Sequence, residues 1–171
     1  RIIQQTSISQ ATIDSALKAF SLRNLGLVEF SVRFLADSAH RQPCVFVPQT
    51  AHYSWQKGAA LLGLGVDTIQ PVAVDLNGRM DMRDLRRLLH QAREQQRPVI
   101  AVIAVIGSTE ESAVDPLADI LNLRCEFQQL GMSFYVHADA AWGGYFASLL
   151  RSPTDQEATP AAPFYCFASD Y

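Results

Sequence analysis

Val99-Ile100-Ala101-Val102-Ile103-Ala104-Val105-Ile106 is apolar at every position, opened by Pro98 and closed by Gly107. A half-solvated strand alternates apolar and polar side chains, so an unbroken run of this length fits a central strand covered on both faces. It is about half of what a bilayer crossing needs. The run therefore constrains the chain to a layered fold in which a sheet is buried between helices.

The segments around it agree. Cys44 to Val47 is a short strand candidate, Ala51 to Leu64 a helical stretch ending at Gly63 and Gly65, and Thr68 to Val74 a second strand. Leu76-Asn77-Gly78 is a turn. Asp81 caps a helix whose Leu85, Leu88, Leu89 and Ala92 line one face, leaving Arg83, Arg86, Arg87 and Arg93 for a solvated face. Asp115-Pro116 reads as an N-cap followed by proline at the first helical position, starting a helix that stops at Gly131. Phe134 to Val136 is the next strand, ending at His137 and Asp139. Arg151 to Pro163 reads as a loop and Phe164 to Phe167 as one more strand. Apolar runs alternating with helices give an α/β fold, three layers with a mostly parallel sheet and helices on both faces. In residues 1–42, Ile13, Ala16, Leu17 and Phe20 form a helical stripe and Val28 to Ala39 a second helix; residues 43–171 carry the α/β pattern.

Composition narrows the function. The 171 residues are 49% hydrophobic with a formal net charge of -3, enough for a core and without the basic patch that nucleic acid requires. Neither a membrane role nor a signal peptide is indicated. Cys44, Cys125 and Cys166 lack the spacing of a disulfide framework or a zinc site and read as reduced core residues, so no metal and a cytoplasmic setting are expected.

Three polar side chains fall just beyond strand ends, where open parallel sheets form their ligand crevice: His52, Thr109 and Asp139. Each has a plainer explanation. His52 suits a local hydrogen bond at a helix start, Thr109 suits loop amides, and Asp139 suits a cap. Around Asp139, however, Ala138, Ala140, Ala141, Gly143 and Gly144 leave room beside the carboxylate.

The stretch from about Cys44 to Phe146 resembles the group II pyridoxal-phosphate-dependent amino-acid decarboxylases, which include aromatic-amino-acid, tyrosine, histidine and glutamate decarboxylases. The resemblance rests on His52-Tyr53-Ser54-Trp55-Gln56-Lys57-Gly58-Ala59, Gly107-Ser108-Thr109, Val114-Asp115-Pro116-Leu117 and His137-Ala138-Asp139-Ala140-Ala141-Trp142-Gly143-Gly144, in the family's order. It implies the large domain of the fold-type-I pyridoxal-phosphate enzymes, with pyridoxal 5′-phosphate as cofactor, an amino acid as substrate and a homodimer in the full-length protein. By that resemblance His52 stacks on the cofactor ring near the substrate carboxylate, Asp139 pairs with the pyridinium nitrogen, Ala141 packs against the ring and Thr109 lies beside the cofactor. A carboxylate beside the ring nitrogen favours its protonated form.

The sequence departs from the family in two places. The Schiff-base lysine belongs to a Ser-x-x-x-Asp-x-His-Lys type segment downstream of Asp139, and the only lysines are Lys18 and Lys57. The glycine- and serine-rich phosphate loop should precede Cys44, where Gln4 to Ala19 has no glycine. The expectation is a partial large domain, inactive alone. The alternatives are a non-catalytic domain kept for binding or dimerisation and another fold-type-I enzyme, an aminotransferase, desulfurase or lyase. A nucleotide-binding Rossmann-like domain lacks its GxGxxG.

Overall fold

The computed structural model describes residues 9–34 and 42–150. The chain divides into two units, with the boundary between His40 and Arg41.

The first unit holds α1 (Gln10–Ala19) and α2 (Leu22–Phe34). Ser9 caps α1 by accepting the Thr12 amide. Gly26 interrupts α2 at φ 76°. The second helix thus begins earlier than the expected Val28, and residues 35–39 lie outside the described residues.

The second unit runs β1 (Cys44–Pro48), α3 (Ser54–Leu61), a 3₁₀ turn (Val66–Thr68), β2 (Ile69–Val72), α4 (Met82–Glu94), β3 (Val99–Val105), α5 (Leu117–Gln129), β4 (Tyr135–Asp139) and a 3₁₀ segment (Gly143–Leu150). The four strands form one sheet in the order β2-β1-β3-β4, and every pairing is parallel. From β1 the chain moves outward to β2, then returns to β3 on the other side. The topological switch point therefore lies between β1 and β3.

Two cores sandwich the sheet. On one face, Leu85, Leu89 and Ala92 of α4 and Ile120, Leu123 and Phe127 of α5 pack with Cys44, Phe46, Val102, Ala104 and Ile106. On the other, Trp55 of α3 packs with Val45, Val47 and Ile103. This is the three-layer arrangement the sequence predicts. β3 is central as expected, and its even residues from Val102 enter one core while Ile103 enters the other. Ile100 is 38% exposed, so coverage is incomplete near the strand's start. Arg83, Arg86 and Arg87 of α4 pair in solvent with Asp81, Glu126 and Asp84, exposed contacts that add little to stability.

Several boundaries differ from the sequence reading. The Ala51–Leu64 helix shrinks to Ser54–Leu61, because Leu62 caps it and Gly63 and Gly65 take φ of 70° and 83°. The Thr68–Val74 strand shrinks to Ile69–Val72, since Thr68 closes the 3₁₀ turn by donating its hydroxyl to the Leu64 carbonyl at 2.8 Å. Pro71 is tolerated because β2 borders the sheet. The strand expected at Phe134 to Val136 is β4, Tyr135–Asp139. Asp115 does not cap α5: Pro116 occupies that position, and the Asp115 carboxylate is turned elsewhere. Cys44 is a buried free thiol, but Cys125 is exposed on α5 rather than in the core. Cys166, the loop expected at Arg151 to Pro163 and the strand expected at Phe164 to Phe167 lie outside the described residues.

Candidate functional site

The carboxyl ends of β1, β3 and β4 lead into three short connections carrying the polar residues. They enclose a cleft of about 140 Å³ at the switch point, lined by His52 after β1, Thr109 after β3, and Asp139 and Ala141 at the end of β4, with Thr50, Ser54, Ser108 and Trp142. The structure thus brings together all four residues singled out in the sequence. A larger, more open groove of about 460 Å³ shares Thr50, His52 and Thr109 and adds Tyr53, Glu110 and Glu111.

Asp139 is held by the end of the β3–β4 ladder. The Ile106 amide donates to the Asp139 carbonyl at 2.8 Å, and the Gly143 amide donates to the Ile106 carbonyl at 3.0 Å. A side chain at 143 would place Cβ 2.0 Å from that carbonyl oxygen. Gly143 is therefore required by close backbone approach, which corrects the expectation that its smallness serves a ligand. Ala138 and Ala140 likewise pack on the larger core, on the opposite side of the strand from Asp139. Of the small residues around Asp139, Ala141 is the one that lines the cleft.

The Asp139 carboxylate is half-buried. Its Oδ2 accepts the Trp55 indole N–H at 3.0 Å, and its Oδ1 has only a long 3.5 Å approach from the Ala141 amide. No lysine or arginine neutralises it among the described residues. A negative charge without a protein cation, on the wall of a cleft, favours a positively charged ligand atom.

His52 is exposed at the cleft, its ring centroid 4.0 Å from that of Tyr53. Its Nδ1 accepts the Ser54 amide at 3.3 Å, the local bond that the plainer sequence reading expects. The neutral ring then carries its proton on Nε2, where it can be donated to a ligand. Thr109 does not perform the loop role open to it. Ser108 does, accepting the Ala113 amide at 3.0 Å and donating to Glu111 at 2.9 Å. The Thr109 side chain is left facing the clefts.

The sequence reading missed two contributors. Asp115 is 3% exposed, and its carboxylate accepts the Met80 amide and the Val105 amide, both at 2.7 Å. It ties β3 to the segment before α4 beneath the Thr109 connection. Burial pushes its carboxyl above the usual range, opposed by those two amide bonds. Trp55 is the second. Its three-residue spacing from His52, which stands just before α3, was the available signal.

The donor set fits a flat, cationic heteroaromatic ring: an uncompensated carboxylate for a ring N–H, an imidazole for a ring face and an alanine that leaves clearance. The comparisons with known proteins agree. Residues 6–157 match the family model described as the pyridoxal-dependent decarboxylase conserved domain. The chain is 50% identical over 99 residues to the L-tyrosine decarboxylase of Enterococcus faecalis, covering 58% of this chain and 16% of that protein. It is 40% identical over 110 residues to human cysteine sulfinic acid decarboxylase, covering 64% of this chain and 21% of that protein. The solved glutamate decarboxylase domain of the diaminobutyrate-pyruvate transaminase and L-2,4-diaminobutyrate decarboxylase from Vibrio parahaemolyticus superposes with a TM-score of 0.59 at 25% identity, over 81% of this chain and 29% of that one. The chain thus spans about a fifth of the length of such relatives. With the family model matching most of its length, the chain belongs to the pyridoxal-dependent decarboxylase family.

Proposed function

We propose that this chain is part of the cofactor-binding core of a pyridoxal-phosphate-dependent enzyme that removes carbon dioxide from an amino acid. The observation that carries the reading is the placement of Asp139, an uncompensated half-buried carboxylate, in one cleft with His52 and Thr109 at the switch point. Pyridoxal phosphate, when bound, supplies a sink for the electron pair left behind as carbon dioxide departs. Asp139 holds the proton on the ring nitrogen through opposite charge. His52 would cover a ring face, with Nε2–H placed to orient the substrate carboxylate. Ala141 leaves clearance for the ring, and Thr109 contributes a hydroxyl at the rim.

Neither lysine suits a covalent role at this site. Lys57 sits 4.3 Å over the Tyr53 ring, on α3 and outside the cleft lining, and Lys18 belongs to α1. The site therefore needs a lysine from further chain or from a second copy. A homodimer of the longer protein fits the exposed aromatics Trp142, which lines the cleft, and Tyr145 and Phe146 in the segment that follows it.

The test is carbon dioxide release from a panel of amino acids by the longer protein carrying this segment, supplied with pyridoxal phosphate. Release that falls at least about a hundredfold in Asp139→Ala supports the reading; undiminished release in that variant overturns it. Borohydride reduction of the 171-residue chain with pyridoxal phosphate should give no stoichiometric adduct. A specific adduct at Lys57 would reverse its assignment.

A further inference from the structure

We infer that Trp55 is a positioning residue for Asp139, fixing which carboxylate oxygen meets the cofactor ring; this rests on the cofactor reading above. The indole N–H donates to Oδ2 at 3.0 Å across 84 positions of sequence. Trp55 itself does not line the cleft that Asp139 lines, so it reaches the carboxylate from behind. The indole is clamped in that attitude. It packs with Val45, Val47 and Ile103 on the sheet, and its ring meets His137 edge-on, with centroids 5.4 Å apart and planes at 74°.

A carboxylate swings freely about its last torsion unless something fixes it. Here Oδ2 is engaged by a donor whose own rotamer is set by packing, while Oδ1 keeps its accepting capacity, having only the 3.5 Å amide approach. Oδ1 is thereby presented for a short charge-assisted bond to a ring N–H. The tryptophan is also a neutral donor, so it engages Asp139 without cancelling the charge needed by the ring. His52 and Trp55 lie three residues apart where the chain leaves β1 and enters α3, joined by a bond from the Trp55 amide to the His52 carbonyl at 3.3 Å, so one short connection sets both the stacking ring and the orientation of the carboxylate.

The probe is 4-deoxypyridoxine 5′-phosphate, which keeps the ring nitrogen but cannot form an imine. The chain has two tryptophans, and the Trp55 indole signal in a ¹H–¹⁵N spectrum is identified by its loss in Trp55→Phe. Adding the probe should shift that signal in the wild type and not in Asp139→Ala. Titration should show binding about three- to tenfold weaker in Trp55→Phe, the range of one ordinary hydrogen bond, since Trp55 acts on the ring only through Asp139. Replacing Trp55 by 3-benzothienylalanine keeps the shape and removes only the N–H, and the same loss is expected there. Wild-type affinity in the benzothienyl variant, with binding lost in Asp139→Ala, overturns the role of Trp55 and leaves the cofactor reading standing. Wild-type affinity in Asp139→Ala overturns both.

Discussion

The connection after β3 carries an aspartate and β4 ends on another, and the two are used in opposite ways. Asp115 is 3% exposed with both carboxylate oxygens taken by main-chain amides. Asp139 is half-buried, held by one indole, and borders a cleft. A carboxylate whose accepting capacity is spent on the backbone is part of the scaffold. One left partly unsatisfied beside open space is available for chemistry. Position at a strand end does not separate the two roles; the bookkeeping of hydrogen bonds does.

The strongest test of that contrast removes the stitch joining the two connections. Gly143→Ala puts a methyl group 2.0 Å from the Ile106 carbonyl, and the chain should lose about 3 kcal/mol or more of stability, read from the urea midpoint. An unchanged midpoint would mean the two connections are not clasped there. Asp115→Ala comes next. It strands two buried amides and should cost about 2–4 kcal/mol, while the folded fraction keeps its affinity for the ring probe. Asp139→Ala should reverse that pattern: within about 1 kcal/mol in stability, with probe affinity at least about tenfold lower. If Asp115 changed affinity more than Asp139 did, the division of labour would be wrong.

The smallest effect is in pH dependence. The Arg79 amide is the main influence holding Asp75 below its ordinary 3.8, and the Arg83 side chain does the same for Asp81. For these groups the unfolded chain binds protons first, so their contribution is present above that value and is lost as pH falls through the folded pKa. Asp115 has the opposite sign. Its folded carboxyl is raised above 3.8, so its contribution declines as pH rises from there through the raised pKa. Urea melts across the acid range should therefore show a flatter acid limb in Asp75→Asn. A steeper limb would contradict the assigned direction.

Much of this was legible in the sequence because it rests on local pattern. The all-apolar Val99–Ile106 run fixes a central strand, and Asp81 with its leucine stripe fixes α4. His52, Thr109 and Asp139 were found because parallel strands place their next residues at one edge. What was not legible depended on partners distant in sequence. Asp115-Pro116 has the form of a helix cap, and only the approach of Met80 and Val105 reveals a buried tie. Gly143 looks like ligand clearance until the Ile106 carbonyl is seen against it. Trp55 is an apolar position on a short helix, and its function appears only when β4 brings Asp139 to it.

The lacing of Ile106, Asp139 and Gly143 by main-chain bonds also has an evolutionary consequence. The coordinates of the acidic group are inherited through peptide geometry more than through neighbouring side chains. In a saturation library over 140–144, position 142 should accept many replacements and position 143 almost none. Lineages could then vary the lining of the crevice widely while its charged corner stayed where it was.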